Sequence, residues 1–68
     1  MTFGEKVKKL RLILGLSQSQ FGELMHVNFT TINRWERGRN NPNYEAVLLF
    51  EQLCKEHHIV FETKKGTE

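Results

Sequence analysis

The stretch from Ser17 to Pro42 constrains the fold most tightly, because it places two helix starts only eleven residues apart. Ser17 is a good N-cap, and Gln20, three residues on, can return a bond to the cap's own N–H in a capping box. Asn28 is a second cap candidate. A helix begun at Ser17 must therefore stop and turn before another begins at Asn28, which gives two short helices and a tight turn. Phe21, Met25 and Val27 fall on one side, and Ile32 and Trp35 continue that side at a spacing of three. The other side of the second helix holds Phe29, Thr30, Asn33, Arg34 and Arg37, with no carboxylate. Such a face suits a polyanion with readable edges.

The flanks read as two further helices. Thr2 caps a segment running to Leu14, with Glu5 completing a capping box and Phe3, Val7, Leu10 and Leu14 forming its buried stripe. Leu12 and Ile13 lie off that stripe, either covered by the C-terminal segment or exposed to a partner. Gly15 ends the helix by taking a left-handed conformation at no side-chain cost, and Gly38 is placed to do the same after Arg37. Asn43 caps a last helix from about Tyr44 to Glu56. Its apolar residues Ala46, Val47, Leu49, Phe50, Leu53 and Cys54 cover more of the circumference than a surface helix needs. With Leu12 and Ile13, that excess points to a second contact surface, for which a dimer interface is the natural candidate. Ile59 to Glu62 reads as a short extended segment, able to pair at an exposed edge or to fold back over Leu12, and the rest as a frayed tail. Residues 1–57 then form one all-α domain of four to five helices, followed by residues 58–68.

Several residues carry a resemblance. Leu16-Ser17-Gln18, Phe21-Gly22-Glu23 and the run Thr31 to Gly38, closed by Pro42, resemble the helix-turn-helix of phage repressor and Cro-like (XRE) transcription regulators. Arg11, the Ser-Gln start and the Trp-Glu-x-Gly-x-x-x-Pro ending all fall in register. The resemblance covers about the first 55 of the 68 residues and implies a λ-repressor-like DNA-binding domain with its motif at about 17–38. It also implies a small residue at Gly22, where the two helices cross closely. His26 departs from the pattern, which usually has glycine in this turn, where the backbone favours positive φ.

By that resemblance, the helix at about 28–37 enters the major groove. Phe29, Thr30, Asn33 and Arg34 are then the candidate base contacts. Arg34 is the first choice for specificity, because arginine can make two bonds to guanine O6 and N7. Gln18, Asn28, Arg37, Arg39, Asn40 and Asn41 are the candidate backbone contacts, Gln18 aided by the free N–H groups at its helix start. The resemblance further implies an ion pair between Arg11 and Glu36 that neutralises Glu36 near a phosphate.

Composition narrows the alternatives. A chain of 68 residues is near the lower size for folding on one core, and a net charge of +2 does not by itself argue for nucleic acid. The clustering of Arg34, Arg37 and Arg39 does. Cys54 is the single cysteine, so no internal disulfide forms. Cys54, His57 and His58 lack a second ligand cluster, and no metal or cofactor is expected. No nucleophile has a base and an orienting group in register, which argues against an enzyme. No run is long and apolar enough to span a bilayer, and no signal-peptide cleavage site follows Met1, so a cytoplasmic protein of a bacterium or phage is expected. The expected partner is a palindromic operator in double-stranded DNA, bound by a homodimer. The alternative is an antitoxin or adaptor module acting mainly through a protein partner.

Overall fold

The computed structural model describes residues 1–61, and these form four helices: α1 (Phe3–Leu14), α2 (Gln18–Met25), α3 (Phe29–Glu36) and α4 (Tyr44–Glu56). Three of the four starts are capped by the side chains that the sequence marks. Thr2 and Ser17 accept from the N–H groups of Glu5 and Gln20, which reciprocate, and Asn43 accepts from Ala46 N–H at 2.8 Å. Each such cap stabilises its helix by about 1 kcal/mol.

All four helices end in the same way. The N–H two residues past the last turn reaches back to the 6→1 carbonyl: Leu16 to Arg11, Val27 to Gly22, Arg39 to Arg34 and Ile59 to Cys54, at 2.8–3.0 Å. The geometry requires a left-handed residue one position earlier. Glycine supplies it twice, at Gly15 and Gly38, and histidine twice, at His26 and His58. Both histidines carry a side-chain strain that glycine avoids.

The core is the set of residues that the helical periodicity singles out. Val7 and Leu10 from α1, Phe21 and Met25 from α2, Ile32 and Trp35 from α3, and Phe50 and Leu53 from α4 are all buried. Phe3 stands edge-on to both Trp35 and Phe50, with ring centroids 5.2 Å apart in each case. Such aromatic pairs contribute about 0.5–1.5 kcal/mol beyond area burial.

Gly4 explains how closely α1 approaches α3. A Cβ there would lie 1.8 Å from the Trp35 carbonyl oxygen, so no larger residue fits without moving a helix. At Gly22 the corresponding obstacle is the Val27 carbonyl oxygen at 2.6 Å. The small residue is thus demanded by the turn backbone itself rather than by side chains of the crossing helix.

Beyond α4 the chain is irregular from Ile59 to Phe61 and forms no strand. It folds back onto the core: the Phe61 ring stacks on Phe50, with centroids 6.0 Å apart and planes at 22°. Burial of two apolar side chains accounts for this, since a lone strand would leave its backbone groups without a ladder. The expected extended segment's last residue, Glu62, and the frayed tail beyond it lie outside the described residues. Leu12 and Ile13 remain more than half exposed, as do Tyr44 and Val60.

Candidate nucleic-acid interface

α2 and α3 are joined by His26, Val27 and Asn28. His26 adopts φ 60°, ψ 37°, and its own N–H caps the Glu23 carbonyl. The turn seats Ile32 and Trp35 inward and leaves the opposite face of α3 in solvent. Phe29 is 55% exposed, and Thr30, Arg34 and Arg37 are exposed on the same side. Arg39, Asn40 and Asn41 follow in an exposed connection.

The start of α3 differs from the other three. Asn28 has extended N-cap geometry, and its carbonyl accepts from Thr31 and Ile32, but its side chain makes no cap bond. As at the other helix starts, the first two N–H groups, here those of Phe29 and Thr30, have no partner among the described residues; what the missing cap removes is a side-chain acceptor for Thr31 N–H. Free donors at the positive end of the helix dipole favour an anion.

Glu36 is the only acid on α3, and it is turned away from the solvent face. Arg11 Nε donates to its Oε2 at 2.7 Å and Arg11 Nη2 to its Oε1 at 3.1 Å. Arg11 Nη1 also donates to the Leu16 carbonyl at 3.1 Å, so one guanidinium ties α1 to both ends of the motif. The two side chains are only 14% and 7% exposed. The hydrogen bond to Glu36 raises the Arg11 pKa above its ordinary value, against the opposing effect of desolvation. The carboxylate is thereby neutralised within the protein.

Two residues expected at the DNA are engaged within the protein. Gln18 Nε2 donates to Glu36 Oε1 at 3.1 Å, and Asn33 Nδ2 donates to Gln18 Oε1 at 3.4 Å. Gln18, Asn33, Arg11 and Glu36 therefore form one network across three helices. Phe29, Thr30, Arg34, Arg37, Arg39, Asn40 and Asn41 make no side-chain hydrogen bond among the described residues and stand free. Spacing along the chain carries no trace of the Gln18 contacts, which span 18 and 15 residues. Gly4 was equally silent in the sequence, although a glycine in a first helical turn is a hint of close approach.

Elsewhere the chemistry is sparse. Among the described residues no group of three or more histidine, cysteine or acidic side chains is placed to hold a metal ion. None of the described helices is long and apolar enough to cross a membrane. Burial pushes the Cys54 thiol up from its ordinary pKa, partly offset by Lys6.

Comparison with known proteins agrees with this architecture. A family model described as helix-turn-helix matches residues 7–60. The chain is 40% identical over 47 residues to the HTH-type transcriptional activator BcrR of Enterococcus faecalis, covering 69% of this chain and 23% of that protein. It is 32% identical over 53 residues to the antitoxin HigA-2 of Vibrio cholerae, covering 78% of this chain and 50% of that protein. The chain thus spans half or less of the length of these relatives. No solved structure gives a significant match.

Proposed function

The chain belongs to the helix-turn-helix family, and from that premise we propose that it regulates transcription by binding an operator in double-stranded DNA with α3 in the major groove. The observation that carries this reading is the disposition of charge on α3. Its one carboxylate is bound inward by Arg11 and Gln18, while Arg34 and Arg37, with Arg39 beyond, are free. Phe29, Thr30, Asn33 and Arg34 meet base edges; Asn28, Arg37, Arg39, Asn40 and Asn41 hold phosphates. Two copies act on a palindromic site in a bacterial or phage-infected cytoplasm, because one motif reads too few base pairs to specify an operator. Residues 1–57 form the binding unit.

Substitution separates these roles. Arg34→Ala flattens sequence preference at one position, at about 1–3 kcal/mol of discrimination. Arg39→Ala weakens all sequences alike and reduces the salt slope by about 1. Equal effects from both substitutions would overturn the division of labour.

The similarity to an antitoxin supports a second reading, in which the exposed Leu12, Ile13, Tyr44 and Leu48 contact a protein partner. A complex of that kind survives high salt, whereas a DNA complex does not.

A further inference from the structure

The Glu36 network has a direction. A carboxylate only accepts hydrogen bonds, so Gln18 must present its NH2 group to Glu36, as it does at 3.1 Å. Its amide oxygen then faces Asn33, and an oxygen can only accept. Asn33 must present Nδ2 in turn, as it does at 3.4 Å. A free asparagine turns its amide either way at little cost, but here each orientation is dictated by the one before it, starting from a carboxylate locked by Arg11.

The consequence falls on the far side of Asn33. Its Oδ1 accepts no bond from the described residues, and no side-chain oxygen or nitrogen among them is both buried and unpartnered. The oxygen is therefore open to solvent on a half-buried residue between Phe29 and Arg37, one turn from each. The second Nδ2 proton is also unused.

We propose that Gln18 is a positioning residue which holds the Asn33 carboxamide with its oxygen outward, so that Asn33 selects a base bearing an exocyclic amine in the major groove. This rests on α3 entering that groove. Adenine fits best, because its N6 donates to Oδ1 while its N7 accepts the spare Nδ2 proton; cytosine offers N4 alone. Guanine O6 and thymine O4 would face Oδ1 as a second acceptor and are disfavoured.

The test is selection of bound duplexes from a random library by the full chain and by Asn33→Ala, Gln18→Met and Gln18→Ala. Circular dichroism melts show that each variant folds. The wild-type profile contains one column enriched in adenine, or else cytosine, which Asn33→Ala flattens. Gln18→Met and Gln18→Ala flatten that same column by roughly fivefold, because the amide regains both orientations, and leave the other columns unchanged. The inference is overturned if Asn33→Ala flattens a guanine or thymine column or none. It is equally overturned if the Gln18 variants alter no column, or weaken all columns together. Absence of any enriched column in the wild type would instead overturn the operator-binding function.

Discussion

Glu36 accepts two hydrogen bonds from Arg11, a residue 25 positions earlier, at 2.7 and 3.1 Å. The pair joins the last turn of α1 to the last residue of α3 and fixes the angle at which α3 is presented. With 7% of its side chain exposed, Glu36 could not stand there unpaired. Arg11→Met should therefore destabilise the domain by about 3 kcal/mol, most of it from the stranded carboxylate. Adding Glu36→Met should recover most of that loss. Urea titrations of the two single variants and the double variant measure the coupling. A double variant no more stable than Arg11→Met would show that the cost lies in packing instead.

His26 holds φ 60° at a position where two of its three counterparts, Gly15 and Gly38, are glycines. Relief of that strain outweighs the added freedom that glycine gives the unfolded chain. His26→Gly is expected to stabilise the domain by about 1 kcal/mol, raising Tm by roughly 4–8 °C. His26→Val, with its branched Cβ, should do the opposite. Thermal melts decide, and a His26→Gly variant that melts lower than the parent would contradict the assigned strain.

The Gly4 contact makes a sharper demand. Gly4→Ala places a methyl group where the Trp35 carbonyl oxygen already sits, and the obstacle is backbone, which cannot rotate away. A loss of about 3 kcal/mol or more is expected, large for a residue that is usually the better helix former. Gly15→Ala supplies the control: nothing lies within 4 Å of its Cβ, and only the left-handed conformation is penalised. The Gly4 variant should be the less stable of the two in chemical denaturation.

Cys54 offers a pH-dependent readout. Its raised pKa means that the folded state holds the thiol proton more tightly than the unfolded chain does. The associated stability is complete below the unfolded value of about 8.5 and is lost as pH rises through the folded value. Native protein should accordingly react with iodoacetamide more slowly at pH 8 than the same chain in denaturant. Equal rates would show a thiol unaffected by burial.

Much of the fold was legible in the chain. Thr2 with Glu5, Ser17 with Gln20, and Asn43 mark helix starts by local chemistry, and Phe21, Met25, Ile32 and Trp35 mark the buried side by period. Such signals act over a few residues and survive any tertiary arrangement. What escaped depends on approach in space. Gly4 is small because of a carbonyl 31 positions away. Gln18 turns to Glu36 because α2 and α3 cross there. His58 is left-handed because α4 closes like the other helices, although histidine gives no warning of it. Ile59 to Glu62 reads as an extended segment by composition, but Phe50 offers Phe61 a stacking partner and no strand among the described residues offers a ladder.

The proposed placement of α3 in the major groove is tested most directly by methylation interference on a selected operator. Methyl groups at guanine N7 project into the major groove, and those at adenine N3 into the minor groove. Interference is expected at guanine N7 within each half-site, and Arg34→Ala should abolish it at one guanine while leaving the others. Interference confined to adenine N3, or a pattern indifferent to Arg34, would contradict the placement of α3.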